Sequence, residues 1–378
     1  MHAARGVRLT FPSVKPTLDV LLLSRYASRG ASSRVRMYQY FPDLAAAGIR
    51  VTAAPLLAGE DLGRRQTSGG YPVRRLWAAI LGRIRAAATR HRYDVLWIEY
   101  ELMPFLPARL EHLLLRGGPP RVVEYDDAVF HRYDRHRSAL VRRFLGAKID
   151  RVMAGAAVVV AGNAYLAARA RAAGARDVAI IPSVVDLERY PVVPPPAGGP
   201  PVIGWIGSPS TAAALDVVAP ALARVCAGGR ARVVLVGVTP GLRSWPFPCE
   251  ERPWIENGEA ADIAGFDIGI MPLADDAWSR GKCGFKLVQY LACGRPAVAS
   301  PVGVNPAIVL DGQTGLLASS EAEWVTALDR LIDDPALRAR LGAAGRAHVD
   351  AHYAMHRTAP LVADVLRRAA GGAASCAA

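Results

Sequence analysis

The stretch "YPVVPPPAGGPPVIGWIG", Tyr190–Gly207, divides the chain. Its clustered prolines and glycines from Pro191 to Pro201 sustain neither a helix nor an interior strand, so the segment reads as a linker. On each side of it, short apolar runs alternate with helical patterns. Upstream the runs are Leu18–Ser24, Ile49–Leu57, Tyr93–Tyr100, Pro120–Asp126, Ala156–Gly162 and Val178–Val184. Downstream they are Val202–Gly207, Arg232–Val238, Phe266–Leu273 and Pro296–Val302. Their near-continuous apolar character suits parallel strands covered on both faces, and the alternation predicts an α/β fold of two doubly wound domains. Between the strands, Leu140, Val141, Phe144, Leu145, Ile149 and Val152 recur at helical spacing and predict one helix over Ser138–Met153. Three helical stretches close the chain, at Glu321–Ile332, Pro335–His348 and His356–Ala369.

The length of 378 residues also favours two cores over one. We place the domains at 1–193 and 194–355. Hydrophobic content of 52% with 21% charged residues describes a globular protein. The net charge of +13, mostly from arginine, suits anionic partners such as nucleotides or acidic lipid. Joint enrichment in Ala, Arg and Gly also follows from biased base composition, so the charge alone assigns nothing. Dispersed arginines without a recognition module argue against a nucleic-acid partner. The cysteines at 226, 249, 283, 293 and 376 show neither CxxC pairing nor metal-ligand spacing, which predicts a reduced compartment and no metal site. Residues Met1–Thr17 lack the apolar core of a secretory signal. The most membrane-like run, Val152–Ala168, is short, contains Asn163 and reads as a buried strand followed by a helix. A cytoplasmic protein is expected.

Parallel α/β sheets bind ligands beyond the carboxyl ends of their strands, so chemistry is sought in the strand-to-helix loops facing a cleft between the domains. After the first strand, Gly30 permits a tight turn, Ser32 or Ser33 suits a helix N-cap, and Arg29 and Arg34 can receive a hydroxyl or phosphate. No GxGxxG occurs there, which weighs against a dinucleotide-binding dehydrogenase. After the fourth strand come Asp126 and Asp127, with His131 close behind, as candidate acid–base groups. Adjacent carboxylates in a strand point to opposite sides, so at most one of the pair faces a substrate. The second domain opens on Gly207, Ser208, Ser210 and Thr211, a turn running into an alanine-rich helix; its amides and hydroxyls suit phosphate oxygens, although it is no P-loop. Arg280 and Lys282, with Lys286 one turn on, precede and enter a helix where an anion can be neutralised.

The segments "FDIGIMPL" (Phe266–Leu273) and "GFKLVQYLACGRPAVASPVGVNPAIVLDGQTGLL" (Gly284–Leu317) resemble the donor-binding half of GT-B glycosyltransferases, especially the retaining family 4. "VVVAGNAYLAARARAAGARDVAIIPSVVDLERY" (Val158–Tyr190) is similar to the end of their first domain. The resemblance implies two Rossmann-like domains facing a cleft, with a final helix, 356–378, crossing back to the first. It implies an acceptor held mainly by the first domain and a nucleoside-diphosphate sugar held mainly by the second, with Val304 and Asn305 on the donor side. No metal or other cofactor is implied. Two family glutamates are absent: Gly281 stands where one lies near the donor sugar, and Gln289 where the other grips the ribose. The family's Arg and Lys after the first strand of the second domain are missing too, and Arg280, Lys282 and Lys286 are expected to compensate.

The implied reaction is glycosyl transfer of the hexosyltransferase type, retaining by family likeness, in surface polysaccharide or glycoconjugate synthesis. The acceptor is a glycan, a lipid-linked sugar or a small molecule. Stabilising the departing diphosphate falls to cations and helix N-termini. One alternative is a sugar-nucleotide epimerase on the same architecture, using Asp126, Asp127 and His131. Another is a non-catalytic protein that binds nucleotides or an anionic membrane, the latter through the basic run His131–Lys148.

Overall fold

The computed structural model describes residues 18–57, 73–194, 198–255 and 258–375. Cys376 and the segment Met1–Thr17 lie outside the described residues. The first domain contains β1 (Leu18–Leu23), α1 (Ala31–Arg36), α2 (Phe41–Ala46), β2 (Ile49–Ala53), α3 (Val73–Ala88), β3 (Val95–Glu99) and α4 (Ala108–Leu114). It continues with β4 (Arg121–Tyr125), α5 (His131–Asp134), α6 (Ala139–Leu145), α7 (Lys148–Ala154), β5 (Val158–Ala161), α8 (Ala164–Ala172) and β6 (Val178–Ile180). Its six strands run in the order β2-β1-β3-β4-β5-β6, every neighbour parallel.

Past the linker come β7 (Val202–Ile206), α9 (Ala219–Val225), β8 (Arg232–Val236), β9 (Cys249–Arg252), α10 (Glu259–Ala264), β10 (Ile268–Met271) and α11 (Phe285–Ala292). Then follow β11 (Ala297–Ala299), α12 (Asn305–Ile308), β12 (Gly315–Leu317), α13 (Glu321–Asp333), α14 (Pro335–His352) and α15 (Met355–Ser375). The second sheet, β12-β11-β10-β7-β8-β9, is also wholly parallel. The two doubly wound sheets confirm the α/β fold read from the alternation. Two strands escape the apolar pattern. Edge strand β9 reads Cys-Glu-Glu-Arg and is only half-buried, and β12 has three residues. Neither offers a hydrophobic run to detect.

The single helix expected over Ser138–Met153 is two. It breaks at Gly146-Ala147, and α7 turns Ile149, Val152 and Met153 into the core while α6 leaves Leu140 and Phe144 at the surface. The final helix α15 lies on β3, β4 and α2; Tyr40 and Thr358 share a 2.9 Å hydroxyl contact, and Arg367 donates to the Ala47 carbonyl at 2.6 Å. The C-terminal helix is thereby anchored to the sheet from which the chain began.

Candidate active site

The floor of the site belongs to the second domain. Strand β7 ends in a buried Trp205 and turns at Gly207, where a Cβ would stand 2.3 Å from the Trp205 ring and clash. Close approach therefore demands glycine there. Ser208, Ser210 and Thr211 knit the turn together: the Ser208 amide donates to the Thr211 hydroxyl at 3.1 Å, and the Ser208 and Ser210 hydroxyls meet at 3.0 Å. The alanine-rich stretch behind it is a 3-10 segment, Pro209–Val217, before α9 begins; its proline and turn hydroxyls set the tighter winding.

Lys286 holds its ammonium 5.3 Å from the centre of the same Trp205 ring. Burial, and then repulsion from Lys282, lower its pKa to about 8, against the attraction of Asp127. Lys282 does not share a helical face with Lys286 as expected: it stands in extended backbone ahead of α11, and reaches across to the first domain, 3.2 Å from Asp127 Oδ1. Burial holds the Asp127 carboxyl above its ordinary range, with Lys282 opposing. Lys282 is positioned from below: Asn163 accepts from the Leu166 amide as the N-cap of α8, and its own amide donates to the carbonyls of Gly281 (3.0 Å) and Lys282 (2.9 Å). The two ammoniums, the Gly207 turn and Asp127 thus meet where the domains face each other.

The first-domain candidates divide. Asp126 and Asp127 lie in the bend just past β4, not in the strand as expected, and take different partners: Asp126 accepts from the Tyr100 hydroxyl and from Ser32 at 2.6 Å. Tyr100 sits at φ 63°, a left-handed conformation for a bulky residue at a strand end, which marks local strain. Neither serine caps the helix: Gly30 is the N-cap residue at φ −76°, and Ser33 donates to Glu99 at 2.6 Å while receiving the Tyr26 amide at 3.1 Å. Buried Glu99 and half-buried Asp126 need donors more than the helix end does. Glu99 Oε1 has no partner, and burial raises that carboxyl to about 7. Arg29 is exposed. Arg34 is spent on the second domain, pairing with Glu259 and lying 5.4 Å over the Trp254 ring.

Four further expectations need correction. His131 is no free acid or base, since Nδ1 contacts Asp134 at 2.8 Å and Nε2 contacts the Tyr165 hydroxyl at 3.0 Å. Arg280 leaves the cleft for an exposed bidentate pair with Asp275, at 2.7 and 3.0 Å. Gln289 is buried and donates to Glu259 at 2.6 Å and to the Tyr190 hydroxyl at 3.0 Å, a role that fixes the linker to α11. Asn305 is buried as well, bonded to the Ser300 carbonyl at 2.9 Å beside the half-buried Val304. Gly281 explains its missing side chain: a Cβ would lie 2.5 Å from the Ala128 Cβ, so a glutamate there would wedge the domains apart. Among the described residues, no group of three His, Cys, Asp or Glu side chains is placed to hold a metal, and no helix is long and apolar enough to cross a membrane.

Residues 200–334 match the family model described as Glycosyl transferases group 1. That match falls within the second domain and spans less than half of the chain. Proteins similar in sequence include D-inositol 3-phosphate glycosyltransferases from Arthrobacter sp. strain FB24 (33% identical over 108 residues) and Streptomyces bingchenggensis (31% over 139). Those matches cover 27% and 36% of this chain, and the chain spans about a quarter of the length of these relatives, 24% and 28%. Similar solved structures include the Anabaena protein HepE in complex with UDP-glucose, with TM-score 0.69, 15% identity and coverage of 93% of this chain and 99% of that one. A sucrose-phosphate synthase from Thermosynechococcus elongatus gives TM-score 0.68, 16% identity and coverage of 93% and 98%. The likeness extends over both sheets, so the two domains together adopt the GT-B fold.

Sequence reasoning overlooks Tyr100, Asn163, Trp205 and Glu259, which build the site from segments far apart in the chain. Only the stop of an apolar strand at Glu99-Tyr100, and the Asn163 that ends β5, carry a local signal.

Proposed function

We propose that the protein transfers a sugar from a nucleoside-diphosphate sugar to an acceptor hydroxyl. The observation that carries this reading is the half-buried pair Lys282 and Lys286, with Asp127 as their near counter-charge and Lys286 against the Trp205 ring that underlies the Gly207 turn. Two cations held in a low-dielectric cleft stabilise the charge that develops as a diphosphate departs. Asp127 from the facing domain occupies Lys282 in the free protein and is displaced by the stronger anion. The UDP-glucose bound by the similar HepE structure supports a nucleotide sugar as donor. Retention of configuration fits a site where Asp126 and His131 are both engaged elsewhere, because the donor phosphate then takes the acceptor proton. The same engagement counts against the epimerase alternative, which needs a free acid–base pair. We further propose that the chain acts in the cytoplasm, without a metal, in surface polysaccharide or glycoconjugate synthesis on a glycan, lipid-linked or small-molecule acceptor.

The test is a thermal-shift panel of nucleoside diphosphates and their sugars on wild type, Lys282→Ala and Lys286→Met. At least one nucleotide is expected to stabilise wild type, and both variants to shrink that shift. A flat panel for wild type would overturn the reading.

A further inference from the structure

Nine of the fifteen large hydrophobic side chains that are exposed among the described residues fall in three segments of the first domain. Helix α3 carries Trp77, Leu81 and Ile84 at i, i+4 and i+7, a single stripe, with Trp77 61% exposed. Helix α4 contributes Leu110, Leu113 and Leu114, preceded by Phe105. Helix α6 contributes Leu140 and Phe144, both about two-thirds exposed. These elements share one face of the sheet, since Ala87, Ala108, Leu115 and Leu145 enter the same core cluster beneath them. A cavity of about 100 Å³ lined by Ile84, Leu102, Met103 and Leu114 joins α3 to α4, and Phe105 packs on His136 at the approach to α6. These side chains are exposed on the outer side of the α3–α4–α6 layer, while α2 and α15 pack on the opposite face of the sheet.

The charge around this face has one sign. Residues 73–92, 105–118 and 135–148 contain a single acid, Glu111, and it is buried against Lys148 at 2.9 Å. Exposed Arg74, Arg85, Arg109, Arg116, Arg142 and Arg143 ring the apolar side chains. Apolar residues that would cost free energy in water, framed by cations and by an interfacial tryptophan, match the chemistry of a bilayer surface.

We propose that the α3–α4–α6 face docks on an anionic lipid membrane, its aliphatic and aromatic side chains in the headgroup boundary and its guanidinium groups on lipid phosphates. A second copy of the chain is the poorer occupant, because a two-fold contact would set arginine against arginine. The face is a side wall of the first domain, so docking leaves the cleft open. The inference deepens the transferase reading by favouring a lipid-linked acceptor, but vesicle binding itself needs neither nucleotide nor acceptor.

Flotation with vesicles tests it, using phosphatidylcholine alone and phosphatidylcholine with about 30% phosphatidylglycerol, the latter carrying the surface charge that attracts basic segments. Wild type is expected to float with the anionic vesicles, and high salt to release most of it. The double variants Leu140→Ser/Phe144→Ser and Trp77→Ser/Leu113→Ser are expected to bind about tenfold less, while Leu242→Ser/Ile255→Ser on the second domain binds like wild type. Nucleotide thermal shifts should be unchanged in all three, which verifies folding and separates this proposal from the donor site. Absence of flotation at low salt, equal flotation with neutral vesicles, or full binding by the α3–α6 variants would each overturn it. So would concentration-dependent self-association that the same variants abolish.

Discussion

At the carboxyl ends of the first sheet, charged groups close on one another. Glu99 takes the Ser33 hydroxyl and the Arg25 amide, Glu124 takes Arg36 and the Trp97 ring N–H, and Asp126 takes Tyr100 and Ser32. At the corresponding ends of the second sheet, Lys282 and Lys286 stand beside each other, and their near carboxylate, Asp127, comes from the other domain. Both regions bury charge, yet they differ in compensation. A carboxylate held by donors of its own domain rigidifies a scaffold, whereas a cationic pair short of counter-charge is poised for an anion that arrives from solution.

That contrast can be broken most severely by removing both ammoniums. Lys282→Ala/Lys286→Met should cost about 3–6 kcal/mol of nucleoside-diphosphate binding, from two charge-assisted contacts, by calorimetry. Unchanged affinity would mean that the anion binds elsewhere. Next, Arg34→Ala strips Glu259 of its cation and should lower folding stability by about 3 kcal/mol in denaturant titration, because a buried carboxylate is left short of charge. Gly281→Glu follows, with about 2 kcal/mol of overpacking against Ala128; restored affinity without lost stability would contradict the close approach seen there.

The pH dependence sharpens the comparison further. Lys286 titrates near pH 8 in the free protein, and a bound diphosphate must raise that value. Binding above pH 8 therefore takes up a proton, and affinity should fall by up to about tenfold per pH unit, until the raised pKa is passed. Lys286→Met should flatten the profile, and a profile already flat in wild type would show the lysine to be a bystander. The smallest effect belongs to Arg280→Ala, expected to change binding and stability by less than about 0.5 kcal/mol because its partner Asp275 and the arginine itself are exposed.

Much of the fold is legible along the chain. Apolar runs mark ten of the twelve strands, and the prolines after Tyr190 separate the sheets. The site is legible in part where the signal is local: Lys282 and Lys286 are close in sequence and both act on Asp127, although Lys282 stands in extended backbone ahead of α11 and not on its face. It is illegible where a partner comes from elsewhere. Asp275, five residues earlier, draws Arg280 outward; Glu259, thirty residues back, absorbs Gln289; and Tyr165 closes the second nitrogen of His131. The serines of the first loop change roles for the same reason, since Glu99 and Asp126 arrive from β3 and β4.

Strand and helix order, the division into two α/β domains and the overall positive charge are properties of neighbouring residues, because periodicity and turn chemistry act over a few positions. Which charges stay uncompensated, which glycine is pressed against the other domain, and which apolar helix faces are left bare depend on groups a hundred or more residues apart. Those outcomes are set by packing at distances of a few ångströms, where a neighbouring carboxylate decides whether a cation is spent on the protein or kept for a ligand.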